Sequence, residues 1–357
     1  MQKTNSLSFE KVDLYVFEKS YHRKYFSNFS SSFGYFLVGK NFQIYTTDAR
    51  YQKAGKDHFE NSTTTLEINQ NLSAVLQKNS QLFKSENITK IGFEGEITVD
   101  TFESIKNAFE TIGKFEFCNI SSEISAIRQI KTQEEIEKIA HAMQVSADAY
   151  NAFLKTVKVG QTERELCANL NHQLFLHGAD TLAFETIIAS GKNGAKPHAT
   201  PSERKIQNGD LVTCDFGACI DGYNADITRT FGVGNLNKHQ KEIYNIVKLV
   251  QETCLEMAVV GVKTADIHNK AVQLFESFAV GEFFTHGLGH GVGVEIHESP
   301  TLNGRSQEVL AENNVVTIEP GIYMENKFGL RIEDTIVIKS GGNCNLNPLS
   351  KELIIIN

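Results

Sequence analysis

Proline is absent from the first 196 residues of this chain, and all five prolines fall at or after Pro197. Glycine also concentrates in the second half, so the two halves are built with different backbone vocabulary. No apolar run approaches the roughly 18 residues of a membrane span, which argues against a membrane partner. The N-terminal stretch "MQKTNSLSFEKVDLYVFEKS" has no uninterrupted apolar core and does not read as a signal peptide. No run of lysine or arginine relieves the formal charge of −8, so nucleic acid is not expected as a partner. The six cysteines (118, 167, 214, 219, 254, 344) include no CxxC pair. They suit reduced thiols in a cytoplasmic protein better than a disulfide framework or a zinc ribbon. Fixed-period repeats and low-complexity segments are also missing.

What remains is globular: 357 residues, 41% apolar and 22% charged, enough for two domains. The first ~120 residues alternate short β-like runs ("FGYFLVG", "FQIYTT", "ITKIGFEG") with helical stretches ("LEINQNLSAVLQKNSQLF", "VDTFESIKNAFETIG"), the grammar of a small α/β domain. In "RQIKTQEEIEKIAHAMQVSADAYNAFLKTV", Thr132 is an expected N-cap with Glu135 as its capping-box partner. Ile136, Ile139, Ala140 and Met143 follow at helical spacing. The boundary falls within residues 121–127, giving domains 1–124 and 125–357. Further helices are expected from Thr162, from Lys238 to about Ala258, and from about Thr264 through Phe278, with β-rich hairpins between and after them.

The stretch "LVTCDFGACIDGYNADITRTFGVG" carries a two-residue turn signal, Asp221-Gly222, between two β-like runs. That turn sets Ile220 opposite Tyr223, Asp215 opposite Thr228 and Asp226 opposite Gly217. Asp215 and Asp226 are then diagonal neighbours on one face. An arbitrary pair of this kind is usually solvated, but the flanks here are apolar. Two adjacent buried carboxylates repel unless a cation lies between them. In "VVTIEPGIYMENKFGLRIEDTIVI", Glu319 and Glu333 stand symmetrically about Asn326 and would oppose each other in the simplest register, which Pro320 makes less secure.

The stretch "FTHGLGHGVGVEIHESP" sets His286, His290 and His297 among closely spaced glycines. His286 and His290 have helical zinc-motif spacing, yet the two glycines between them would cost a helix roughly 2 kcal/mol relative to alanine. A strand or loop is expected, with one histidine free to ligate a metal. Four carboxylates and one imidazole make an oxygen-rich set, suited to two Mn²⁺- or Co²⁺-like ions sharing an activated water more than to structural zinc.

At these residues the sequence resembles the pita-bread metallopeptidases, the superfamily of methionine aminopeptidase, prolidase and aminopeptidase P. The family's metal ligands map in order onto Asp215 ("CDFG"), Asp226 ("NADITRT"), His290 ("HGLGHGVG"), Glu319 ("IEPGIY") and Glu333 ("RIEDT"). "FETIIASGKNGAKPHATPS", "EIHESP" and "EPGIY…RIED" resemble the proline-specific branch, and "FSSSFGYFLVGKNFQIYTTDARYQKA" resembles the creatinase/prolidase N-terminal domain. The resemblance covers nearly the whole chain, most strongly from Arg128 onward. It implies an α+β protein in which a pita-bread (creatinase/aminopeptidase) catalytic domain follows a smaller α/β creatinase-type domain.

The resemblance further implies a hydrolase holding two divalent ions, Mn²⁺ first and Co²⁺, Fe²⁺ or Zn²⁺ as alternatives. The first-choice function is an Xaa-Pro aminopeptidase acting on peptides with proline second. The alternative is an Xaa-Pro dipeptidase (prolidase), and a non-catalytic peptide-binding relative is remote because no ligand is damaged. His198, His297 and Glu319 take the catalytic roles, with Glu319 also a ligand. His286 and Arg331 are expected on the substrate side, although Arg331 could instead orient a ligand carboxylate. Tyr223 and Tyr323 are read as core packing, Arg229 as a structural salt bridge, and the remaining histidines as bystanders. A homodimer is expected from the resemblance alone.

Overall fold

A computed structural model describes residues 3–357. The chain divides into two compact units, the first ending at Ile127 and the second running Arg128–Asn357. The first holds one six-stranded sheet. Its strands are β1 (Leu14–Phe17), β2 (Tyr35–Gly39), β3 (Gln43–Thr47), β4 (Thr64–Ile68), β5 (Lys90–Phe93) and β6 (Glu116–Asn119), in the order β4-β3-β2-β1-β5-β6. β2 pairs antiparallel with both β1 and β3, while β4, β5 and β6 each join in parallel. Parallel joins need crossovers, supplied by α2 (Gln52–Phe59), α3 (Leu72–Lys78), α4 (Ser80–Ser85) and α5 (Val99–Glu110), whereas α1 (Ser20–Ser27) links the antiparallel β1 and β2. Leu14, Val16, Leu37 and Ile44 of the sheet pack on Leu72, Val75, Leu76, Ile105 and Phe109 of the helices. The stretch "LEINQNLSAVLQKNSQLF" differs from its helical reading. Leu66 to Ile68 belong to β4, and the Asn71 side chain caps α3 by accepting from the Ala74 N–H.

A short helix, α6 (Ser121–Gln129), contains the division between the units. The second unit begins with α7 (Gln133–Leu154) and α8 (Glu163–Leu176), and both open on complete capping boxes, Thr132/Glu135 and Thr162/Glu165. Then come β7 (Thr181–Leu182), β8 (Ile187–Ser190), β9 (Leu211–Phe216), β10 (Ala218–Ile220), β11 (Tyr223–Asn224) and β12 (Ile227–Val233). A second helix pair follows, α9 (Lys238–Met257) and α10 (Thr264–Ser277). The chain closes with β13 (Gly289–Gly291), β14 (Glu298–Leu302), β15 (Val315–Ile318), β16 (Gly321–Met324), β17 (Phe328–Arg331), β18 (Asp334–Lys339), β19 (Gly342–Asn345) and β20 (Ile355–Ile356). The sheets run β20-β12-β9-β8 and β14-β13-β15-β18-β19, with smaller sheets β11-β10-β7 and β16-β17.

Each helix pair covers its own sheet. Ile136, Ile139, Met143, Phe153, Leu166 and Leu170 pack on Ile188, Val212, Cys214 and Phe231. Ile243, Val247, Val250, Ile267 and Phe275 pack on Val316, Ile318, Ile336 and Ile338. Each such side chain contributes about 1.5–3 kcal/mol on leaving water. No helix among the described residues is long and apolar enough to cross a membrane.

Both hairpins adopt the registers expected from their turns. Ile220 pairs with Tyr223, and Asp215 with Thr228. Asp221 and Gly222 take φ of 49° and 79°, which a primed turn requires. In the second hairpin Gly321 pairs with Arg331 and Ile318 with Asp334, so one register continues on both sides of Glu319 and Glu333. Pro320 interrupts the ladder without shifting it.

Candidate metal centre

The two hairpins deliver the carboxylates and join each other. The Glu333 N–H donates to the Thr228 carbonyl at 3.1 Å, and the Thr228 hydroxyl donates to Glu333 Oε2 at 2.7 Å. Asp215 sits on β9, Asp226 directly before β12, Glu319 directly after β15 and Glu333 directly before β18. His290 comes from β13, in an extended segment as its glycines demand. Its backbone N–H donates to Thr317 Oγ1 at 3.1 Å. Its Nδ1 lies 3.0 Å from the Gly291 carbonyl, which can only accept, so Nε2 is the nitrogen turned inward. That Nε2 is 3.4 Å from Asp226 Oδ2 and 3.3 Å from Glu319 Oε1.

Donor atoms of Asp226, His290 and Glu333 all lie within 4.8 Å of one another. Asp215 Oδ1 and Glu333 Oε1 are buried without a hydrogen-bond partner among the described residues. Buried acceptors are normally paired, and an ionised carboxylate left alone is expensive. Burial raises Asp226 and Glu333 well above the usual carboxylate range, and the neighbouring carboxylates push them further. Burial also raises Asp215, although the Arg331 guanidinium opposes it. Glu319 goes the other way: burial opposes its charge, but the hydrogen bond and charge of His290, with Arg331 and His286, bring it down to about 2. Burial works against a charged His290, yet Glu319 raises its pKa. The donor set, its orphaned oxygens and its mutual repulsion all fit divalent cations.

All nine residues singled out from the sequence line one cavity of about 700 Å³: His198, Asp215, Asp226, His286, His290, His297, Glu319, Arg331 and Glu333. The His297 ring stands edge-on to His290 at 4.3 Å between centroids. Burial, and then the charge of His290, lowers the His297 pKa, so the ring is neutral. Burial likewise lowers His286, whose Nδ1 donates to its neighbour Gly287 and whose Nε2 is 3.0 Å from the Tyr323 hydroxyl. The Arg331 guanidinium is committed to protein groups. It donates to Asp215, to Tyr323 at 2.6 Å, to Thr228 at 3.0 Å and to the Pro197 carbonyl at 3.3 Å. Arg229 bonds Asp334 at 2.7 Å, the salt bridge expected of it.

Tyr323 is the residue that sequence reasoning undervalued. Its hydroxyl accepts from Arg331 and donates to His286, linking a ligand-side cation to a cavity histidine. The hairpin register contained that signal, because Tyr323 and Arg331 are diagonal neighbours on one face of β16 and β17. Thr228 and Thr317 carried no comparable signal.

A peptide-sized cavity floored by acidic donors and walled by histidines, on this fold, defines a metallopeptidase. Residues 137–340 match metallopeptidase family M24, and residues 4–130 match the creatinase/prolidase N-terminal domain. The chain belongs to metallopeptidase family M24, and its catalytic unit has the pita-bread fold. Among its relatives, an Xaa-Pro dipeptidase of Pyrococcus horikoshii is 36% identical over 90% of this chain and 88% of its own. An Xaa-Pro dipeptidase structure from Bacillus anthracis superposes with a TM-score of 0.92, at 33% identity, over 100% of this chain and 99% of that one. An X-Pro aminopeptidase structure from Thermotoga maritima gives 0.88 at 32% identity, over 97% and 98%.

Proposed function

We propose that this protein is an Xaa-Pro dipeptidase that hydrolyses the bond between any first residue and proline. The observation that carries the reading is the convergence of Asp226, His290 and Glu333 beside two orphaned carboxylate oxygens, inside a cavity lined by three further histidines. The named relatives favour the dipeptidase over the aminopeptidase that the sequence put first. In this reading Asp215, Asp226, His290, Glu319 and Glu333 hold two divalent ions, with manganese the first choice for an oxygen-rich set. Such ions supply Lewis acidity and make water a nucleophile near neutral pH. Glu319 takes the proton of the attacking water and passes it to the proline nitrogen as the C–N bond breaks. Neutral His297 donates to the scissile carbonyl oxygen as it becomes anionic, a contribution of roughly 3–4 kcal/mol in comparable sites. His198 contacts the substrate, His286 borders it, and Arg331 positions Asp215. A homodimer in a reducing cytoplasm completes the proposal, in keeping with six free cysteines.

One observation favours an Xaa-Pro aminopeptidase as a second reading. Among the described residues Arg331 is the only lysine or arginine lining the cavity, and it is turned onto Asp215 and Tyr323 instead of toward a dipeptide's carboxylate. Hydrolysis of Ala-Pro and Ala-Pro-Ala by manganese-loaded enzyme, with a chelated control, separates the two. Chelator-sensitive cleavage confined to Ala-Pro is expected. Equal or faster cleavage of the tripeptide establishes the aminopeptidase, and failure on both overturns the proline assignment.

A further inference from the structure

Glu163, the first residue of α8, is fully buried and has no place in the site described above. Its carboxylate reaches away from the helix to the segment that carries His198. Oε1 accepts from the backbone N–H and the hydroxyl of Ser190, both at 2.7 Å. Oε2 accepts from Asn193 Nδ2 at 2.8 Å, and from the N–H and hydroxyl of Ser202 at 3.0 and 2.6 Å. Five donors therefore converge on a group with about four lone-pair directions.

Those donors lie at both ends of one excursion. Ser190 is the last residue of β8, whose partner strand β9 carries Asp215, and Ser202 lies shortly after His198. The helix terminus extends the clamp. The Glu163 and Arg164 N–H groups, which cannot bond within the helix, donate to the carbonyls of Arg204 and Ser202 at 3.0 and 3.2 Å. Arg204 in turn donates to Asp210 at 2.7 Å and to the Ser190 hydroxyl at 2.6 Å. Between these ends residues 196–202 form neither helix nor strand, and the exposed His198 ring takes its place from that backbone. A buried carboxylate is tolerated only when fully hydrogen-bonded. Here its partners fix the irregular segment that brings His198 to the cavity.

We propose that Glu163 is a positioning residue for peptide hydrolysis, acting through His198 by clamping both ends of its loop. The proposal rests on the placement of His198 at the substrate in the reading above. Two measurements test it: steady-state kinetics of Glu163→Gln, His198→Ala and the double variant on Ala-Pro, and hydrogen–deuterium exchange of residues 190–202 in metal-free protein. Glutamine presents an NH₂ to groups that are themselves donors, so the loop loosens. The expected result is a fall in kcat of roughly 10- to 100-fold with bound metal unchanged, as for other supporting contacts to an active site. In the His198→Ala background the same substitution costs less than about threefold, because coupled residues are not additive. Exchange in 190–202 accelerates while β12 stays protected.

An equal loss in both backgrounds, an unchanged kcat, or unchanged exchange overturns the proposal. Should Glu163→Gln not fold, Asn193→Ala and Ser202→Ala each remove donors, keep the carboxylate and enter the same cycle. A His198→Ala enzyme at the wild-type rate removes the role of His198 and this proposal with it. A His198-dependent rate with additive losses removes the proposal alone.

Discussion

Tyr323 shows how much a single hydroxyl arranges. It accepts from Arg331, which holds Asp215, and donates to His286, so both partners stay committed and His286 stays neutral. Tyr323→Phe leaves buried polar groups short of a partner, which costs about 1–3 kcal/mol of stability. It also frees the guanidinium to turn from its ligand. Metal affinity or activity is expected to fall roughly 10- to 100-fold, the scale of losing contacts around a metal site, because Arg331 then loosens on the proposed ligand Asp215. Metal titration of the variant alongside kcat on Ala-Pro measures both, and wild-type values in each would show that the hydroxyl only fills space. Single residue types such as Asp215, Asp226, His290, Glu319 and Glu333 were legible in the sequence because their motifs are local. The hydroxyls of Thr228 and Thr317 were not, since Glu333 and the His290 N–H reach them only once separate strands have come together.

At the scale of elements, the hairpins carry the design. The Asp221-Gly222 turn sets the first register, and the second register continues through Pro320 on the Asn326 loop, where Asn326 takes φ of 59°. Close backbone approach does the rest. A Cβ at Gly289 would lie 2.0 Å from the Thr317 carbonyl oxygen, so Gly289→Ala forces β13 off β15. Overpacking of this kind costs typically about 1–3 kcal/mol, and here it also moves His290. The variant is expected to lose bound metal and most activity, whereas Gly342→Ala, with open space around its Cβ, stays within about 0.5 kcal/mol of wild type. Metal content and thermal midpoints of the two variants check this, and a fully metallated Gly289→Ala protein would count against it. Turn type and alternation are short-range properties, which is why both registers could be written down before any fold was known. The segment "LEINQNLSAVLQKNSQLF" failed for the complementary reason. Its Leu66–Ile68 strand is stabilised by parallel pairing with β3, which no local pattern reveals.

For the whole molecule, the catalytic unit is two helix pairs, each over its own sheet, with the carboxylates held where the sheets meet. Without a cation, burial and mutual charge hold Asp226 and Glu333 far above the usual carboxylate range. Groups with raised folded pKa values support the fold while protonated and weaken it as pH rises through those values. Cations displace these protons, so stabilisation by divalent metal grows with pH. Glu319, held at about 2, is ionised throughout and adds no slope. The gap in thermal midpoint between manganese-loaded and chelated protein is expected to widen from pH 5.5 to pH 8. A gap that narrows over that range would mean that these carboxylates do not bind the cation.

The sequence alone determined the helix starts at Thr132 and Thr162, both hairpin registers and which residues stand as candidate ligands, because capping, turns and alternation act over a few residues. Only tertiary structure decided that the hairpins face each other through Thr228 and Glu333. It also brought the Gly194 backbone against Gly329, beside which Pro197 meets Arg331 and His198 reaches the cavity. Contacts between segments a hundred residues apart depend on how whole sheets pack, and no local pattern encodes that.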